Sequence, residues 1–104
     1  MRRGEVWWAN QPEPIGKRPV VLLSRDEAYK VRNAVTVAQV TTTIRNIPVE
    51  VTLDKKDGLP QVCVVNLDTV TTLRKSILTE RICALQHEKI KAIDHALKFS
   101  LGLE

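Results

Sequence analysis

Along most of this chain the apolar residues come in short runs or alternate with polar ones, and only near the end do they space out at threes and fours. The first pattern is that of strands and the second that of a helix. Residues 5–9 predict a short aromatic strand, and residues 19–24 carry the unbroken Val/Leu run of a fully buried strand. The segment between them, 10–18, holds two prolines and Gly16 and predicts a loop. Ser24 with Glu27 three residues on resembles a capping box, which predicts a turn or so of helix over 26–30. Residues 34–41 are rich in β-branched side chains and predict another strand. In 47–53, Ile47, Val49, Val51 and Leu53 share one face while Pro48, Glu50 and Thr52 share the other, as in a half-buried antiparallel strand. Asp57-Gly58 supplies a turn and Pro60 marks the start of the next strand. Residues 62–67 return as an apolar strand that continues more loosely through Val70 and Leu73. Ile90, Ile93, Leu97 and Leu101 then fall on one stripe of a helix expected over 86–101, with Gly102 as its stop.

Short strands followed by one amphipathic helix predict a mainly β protein with a C-terminal helix, a small twisted sheet or partly closed barrel with the helix packed over it. The chain has 104 residues with no repeat, low-complexity tract or linker, so a single domain over 1–104 is expected.

Composition narrows the partners. A hydrophobic share of 43% and a charged share of 27% suit a soluble globular protein and exclude the disordered and membrane classes. Sixteen Lys and Arg against twelve Asp and Glu give a net charge of +4, which favours a polyanionic partner without identifying it. Arg2, Arg3, Lys17, Arg18, Arg45 and Lys75 are among the basic residues expected at strand ends or in connections, free to meet phosphates. Cys63 and Cys83 show no C-x-x-C spacing, so neither a disulfide scaffold nor a zinc site is suggested. No apolar run is long enough for secretion or a membrane span, and a cytoplasmic protein with no membrane role is expected.

The usual catalytic constellations are missing: no nucleophile elbow, no Gly-rich phosphate loop, no metal-ligand cluster and no Cys-His pair. His87 and His95, eight apart on the last helix, fit a solvated face and not the H-E-x-x-H zinc motif. Cys63 and Cys83 read as small buried hydrophobes. What remains is Arg18, where the first loop meets a buried strand, and the cluster Thr41, Thr42 and Thr43 followed by Arg45. Taken singly, these are a surface charge and ordinary strand-end threonines. Together they suit RNA cleavage, which asks that a 2′-hydroxyl attack its own phosphate while a positive group holds the developing charge. A guanidinium offers that phosphorane paired N–H donors, and a Thr hydroxyl can donate to a phosphate oxygen. Trp7 and Trp8, adjacent on one strand, point to opposite faces. One should be core, and Trp8 is expected outward, either stacked on an unpaired base or covering a dimer contact.

Five pieces in order carry a resemblance: Arg3-Gly4-Glu5-Val6-Trp7, Arg18-Pro19-Val20-Val21-Leu22, Thr41 closing a Val-rich strand, Asp57-Gly58-Leu59 before Val64-Val65, and Ala96-Leu97-Lys98-Phe99-Ser100-Leu101-Gly102-Leu103. Over nearly the whole chain this resembles the MazF/PemK toxin family. The resemblance implies an SH3-like small β-barrel, a homodimer, and a sequence-specific endoribonuclease acting on single-stranded RNA without metal or other cofactor. It implies inhibition by a cognate antitoxin, whose acidic tail would suit a basic groove. It maps the catalytic pair onto Arg18, as stabiliser of the transition-state phosphate, and Thr41, as the group that positions the scissile phosphate. Lys17, Thr42, Thr43, Arg45, Trp8, Asp68 and Thr69 are the accompanying RNA-binding candidates.

Two departures bear on recognition. The family's loop before the Arg-Pro pair is longer and commonly carries Gly-Ser-Glu-Gln, here shortened to Ile15-Gly16-Lys17-Arg18. Its Asp-Gln-Ile-Arg-Thr segment is here Asp68-Thr69-Val70-Thr71-Thr72, so a base-contacting Gln and an Arg become threonines. Sequence preference is therefore expected to differ from that of the better-known members. The alternative function is a non-catalytic binder on the same barrel, such as a CcdB-like gyrase inhibitor. Such proteins end in Trp-Gly-Ile, whereas this chain ends Leu101-Gly102-Leu103-Glu104.

Overall fold

The computed structural model describes residues 1–103; Glu104, the last position of the expected 1–104 domain, lies outside them. Six strands, β1 (Glu5–Asn10), β2 (Lys17–Leu22), β3 (Ala34–Thr41), β4 (Glu50–Leu53), β5 (Cys63–Arg74) and β6 (Leu78–Ala84), are joined by the short helix α1 (Ala28–Val31) and followed by α2 (His87–Leu101). The strands form one antiparallel sheet in the order β4-β5-β3-β2-β1-β6, curled into a half-barrel.

Both faces of the sheet are packed. On one, Val6, Val21, Ala38, Val40, Val65 and Leu67 meet Ile93 and Ala96 of α2, with Ile90 and Leu97 at the margin. On the other, Ala9, Val20, Leu22, Val35 and Val37 are covered by Tyr29 of α1 and by Leu78, with Trp7 and Leu73 against them. Two covered faces explain why Val20, Val21 and Leu22 form an unbroken apolar run: successive side chains enter different cores, and each is buried.

β5 is long because a bulge lets it serve two neighbours. Asn66 lies opposite Gln39 of β3, but the next β3 residue back, Ala38, lies opposite Val70, leaving residues 67–69 without β3 partners. Leu67 turns into the α2 core and donates its N–H to the Val49 carbonyl at 2.9 Å. Such insertions bend a strand and re-aim its side chains.

Gly4 sits at φ +89, and a Cβ there would fall 2.6 Å from Ile90 Cδ1, so any other residue would strain the backbone and push the Ile90 side chain aside where α2 closes on the start of β1. Arg3 ties the same corner: its Nε donates to the Leu23 carbonyl at 2.9 Å and its Nη2 meets Asp94 of α2 at 2.7 Å. α2 ends at Gly102, where Leu103 N–H reaches back to the Lys98 carbonyl at 2.7 Å.

Several sequence expectations need correction. Ser24 caps no helix; its hydroxyl accepts from Thr36 N–H at 2.8 Å, and α1 has no side-chain cap. Ile47 is exposed, because the chain turns before β4 and only Val49, Val51 and Leu53 of its stripe are buried. Leu101 is also exposed. β6 was not foreseen: it is an edge strand pairing only with β1, its middle residues Thr79, Glu80 and Arg81 face solvent, and so it lacks hydrophobic alternation. Neither Arg3 nor Lys75 is free for phosphates, since Lys75 Nζ donates to the Tyr29 carbonyl at 2.7 Å.

Candidate active site

Val20 of β2 lies opposite Gln39 of β3. Carrying that register two residues further sets Arg18 opposite Thr41, on the sheet face of Val20 and Val37. Where apolar packing on that face gives way to polar side chains, a cleft of about 560 Å³ opens, within the size range of small-ligand sites. Arg18, Gln39 and Thr41 line it from β2 and β3, and Asn66, Thr69 and Thr71 from β5. Gln11, Pro12 and Ile15 wall it from the β1–β2 loop, Thr43 and Arg45 from the segment after β3. A recess of about 260 Å³ adjoins it, lined by Arg18, Pro19 and residues 40–43.

Backbone and buried polar groups hold these side chains in place. Thr41 Oγ1 accepts from Thr43 N–H at 3.2 Å, which occupies one lone pair and leaves the hydroxyl hydrogen to be donated elsewhere. Glu50 gathers the segment after β3: its carboxylate accepts from Arg45 N–H at 2.9 Å and from Asn46 N–H at 2.9 Å. Asn46 stands at φ 56, a left-handed position that Asn tolerates. Below the cleft, Gln11 and Gln39 form a reciprocal amide pair, Gln11 Nε2 donating to Gln39 Oε1 at 3.0 Å and Gln39 Nε2 to Gln11 Oε1 at 2.7 Å. Both are buried, so the pair anchors the β1–β2 loop to β3.

The cleft is positive. Arg18 and Arg45 line it without an Asp or Glu, and among the described residues neither guanidinium is in an ion pair. The Glu50 carboxylate meets the Arg45 backbone rather than its guanidinium, and the side-chain ion pairs among the described residues lie elsewhere, as in Arg81–Glu5 at 3.4 Å. Burial alone would raise the Glu5 carboxyl, but donors from Trp7 Nε1 and Arg2 N–H, with Arg81, hold it below its ordinary value. Burial raises the Cys63 thiol, assisted by Asp57 and Asp54, and raises Cys83 likewise, which keeps both as thiols, the inert state of structural cysteines.

Of the residues singled out from the sequence, Arg18, Thr41, Thr43, Arg45 and Thr69 meet in the cleft, while Thr42 lines the adjoining recess. Lys17 and Trp8 sit apart from it: Lys17 Nζ stands 5.2 Å from the Trp8 ring centroid. Trp8 faces a recess of about 110 Å³ with Pro19, Leu59 and Cys63, which Thr41 and Thr42 also line, so the recess meets the cleft at Thr41. Trp7 is the tryptophan turned to a core, yet both are only half-buried. Asp68 does not reach the cleft; it turns toward α2, where Ser100 Oγ donates to its carboxylate at 2.7 Å. The bulge is the reason, since it puts Thr69 and not Asp68 on the face of Asn66. Sequence reasoning missed Gln11, Gln39, Asn66 and Thr71. Lone amides within the apolar runs of β3 and β5 were the available signal.

Comparison with known proteins places this arrangement. The family model for the PemK-like, MazF-like toxin of type II toxin-antitoxin systems matches residues 2–101. A relative from Mycobacterium tuberculosis named probable endoribonuclease MazF5 is 42% identical over 100 residues, 95% of this chain and 91% of its own. Among solved structures, Mycobacterium tuberculosis toxin MazF-mt6 superposes with a TM-score of 0.89 at 30% identity, covering 96% of this chain and 98% of that one. A mycobacterial endoribonuclease solved in complex with its cognate antitoxin gives 0.88 at 28% identity, covering 100% and 97%. With the family model matching nearly end to end and the fold shared with solved members, the chain belongs to the PemK-like, MazF-like toxins of type II toxin–antitoxin systems.

Proposed function

We propose that this protein, like its named relatives, is an endoribonuclease toxin, and that it cuts single-stranded RNA at a preferred sequence by internal transesterification, with Arg18 and Thr41 at the reacting phosphate. The observation that carries the assignment is the placement of these two side chains in one positive cleft, with the Thr41 hydroxyl fixed as an acceptor toward Thr43 and free to donate. The 2′-hydroxyl gives its proton to solvent as its oxygen bonds to phosphorus, and the bond to the 5′-oxygen breaks as that oxygen takes a proton from solvent, leaving a cyclic phosphate and a 5′-hydroxyl. Charge accumulates on the non-bridging oxygens as the phosphorane forms. Arg18 N–H donors meet that charge and Thr41 donates to one of the same oxygens, a stabilisation larger in the transition state than in the ground state. This route asks for no metal or other cofactor.

Arg45, with Thr43 and Thr69, extends the surface for neighbouring phosphates and sugars. Trp8 and Lys17, on the sheet face opposite Arg18, suit a neighbouring nucleotide or a second protomer. The protein is expected to work as a homodimer, since Val62, Phe99, Leu101 and Leu103 leave apolar surface exposed. An acidic, disordered antitoxin tail would compete with RNA for Arg18 and Arg45. Among the described residues no helix is long and apolar enough to cross a membrane, and the cytoplasm, where RNA and antitoxin meet, is the proposed location.

The test is incubation with a long, varied single-stranded RNA in excess EDTA, with mapping of cut positions and end groups. Discrete cuts with cyclic phosphate ends are expected, falling about 100-fold or more in Arg18→Ala and in Thr41→Ala. Undiminished cutting in either variant, or dependence on added metal, would overturn the mechanism.

A further inference from the structure

Asn66 is the cleft amide whose two N–H groups, among the described residues, are both unused, whereas Gln11 and Gln39 each spend one on the other. Only 8% of the residue is exposed, yet its side chain lines the cleft beside Gln39 and Thr41. Its Oδ1 accepts from Asp68 N–H at 2.8 Å. That bond fixes which way the amide points, because a backbone N–H can only donate and so must face the oxygen. The Nδ2 group is thereby turned the other way. Among the described residues it donates to no protein acceptor, and it is not sealed off either, since no buried side-chain polar atom lacks a partner. The side chain lines the cleft, so the cleft is where a ligand acceptor can reach this nitrogen. The Gln11–Gln39 pair next to it is different: each amide oxygen there is bonded to the other's nitrogen, so that pair is a brace.

The register fixes where these donors stand relative to the chemistry. Asn66 lies directly opposite Gln39, and Thr41 is two residues further along β3, about 7 Å away. A sugar whose phosphate rests on Arg18 and Thr41 can thus lay its base over Asn66, with Pro12 and Ile15 as an apolar wall on the loop side. We infer that Asn66 is a specificity-determining residue: held by Asp68 N–H as a donor only, it selects, next to the scissile phosphate, a base presenting a carbonyl edge (uracil O4 or guanine O6). Cytosine and adenine hold an amino group at the same positions, and there two donors would face each other. Thr69 and Thr71 can both donate and accept, so they do not impose this choice. The inference rests on the endoribonuclease reading of the cleft.

Cut-site sequencing on a randomised RNA pool tests it, comparing the protein with Asn66→Asp and Asn66→Leu. Asp keeps an oxygen for Asp68 N–H but presents an acceptor to the base, and ratios between bases cancel any general effect of its charge. The unchanged protein should favour U or G over C or A at one nucleotide flanking the cut by about tenfold, the worth of one hydrogen bond. Asn66→Asp should shift that preference toward C and A, and Asn66→Leu should level it. Replacing the preferred uridine by a pyrimidin-2-one riboside, which lacks O4, should slow cutting about tenfold for the unchanged protein and leave Asn66→Leu indifferent. A preference for amino bases at both flanking nucleotides, or one untouched in both variants, overturns the assignment. Should the protein cut no RNA, binding of 2′-deoxy-substituted oligonucleotides differing only at that base separates the two ideas. A carbonyl preference lost in Asn66→Leu would then uphold Asn66 while the nuclease reading fails.

Discussion

Replacing Gln39 by Leu removes both hydrogen bonds of the buried amide pair, of 3.0 and 2.7 Å, at little change in volume. It also strands the Gln11 amide, only 5% exposed, against a side chain that neither donates nor accepts. Two neutral hydrogen bonds at about 1 kcal/mol each, with the cost of one orphaned amide, give a loss of about 2–4 kcal/mol. In a domain of this size that lowers Tm by about 10–20 °C. Gln11→Leu should cost about the same. The double variant should recover most of the loss, because no amide is then left unpaired, and the cycle should show a coupling of about 3 kcal/mol or more, larger than either single loss. Urea unfolding at one fixed protein concentration measures all four species without confusion from oligomerisation. The double variant should nonetheless cut RNA more slowly, since two leucines do not fix the direction of the loop carrying Pro12 and Ile15. Additive losses, with the double variant the least stable, would refute the view of this pair as a lock.

Tyr29, the chain's one tyrosine, has its phenol raised to about 12, first by burial and then by Asp26. A raised folded-state value means stability fully present below the ordinary value of 10 and lost as pH climbs toward about 12. Absorbance of the phenolate should therefore appear together with unfolding, and a simple titration near 10 in the folded protein would contradict the packing of α1. Gly4→Ala should destabilise by about 1–3 kcal/mol in the same urea assay, from its positive φ and its contact with Ile90. Ile90→Ala in that background should recover only the contact part, and full recovery would show that φ carries no cost. Arg45→Ala should weaken single-stranded RNA binding alike across sequences and reduce the slope of log K against log salt by about 0.7. An unchanged slope would remove Arg45 from the phosphate contacts.

Much of the secondary structure was legible because it rests on local pattern. The β-branched runs of β2, β3 and β5 and the three- and four-residue spacing of α2 each dictate which side chains can share a face, whatever lies opposite. The elements that escaped are those whose stability comes from neighbours. β6 is held by pairing to β1 and carries the polar residues an edge permits, so its own sequence does not announce it. Ser24 had the spacing of a cap, but Thr36 N–H, twelve residues away, was the stronger claim on its hydroxyl.

The site divides in the same way. By itself the sequence determined the chemical material: a positive chain with Arg18 and Arg45, a threonine cluster at 41–43, glycine where the backbone must turn, and the ordered pieces of a toxin family. Which residues meet was settled only by tertiary structure. The β2–β3 register puts Arg18 and Thr41 on one face just past the end of the ladder, where both line the cleft, the bulge after Asn66 sends Thr69 into the cleft and Asp68 to Ser100, and the Gln11–Gln39 pair brings a loop onto a strand 28 residues on. Residue type is a local property, while register, bulge and amide orientation come from hydrogen bonds between distant segments, which no local pattern encodes.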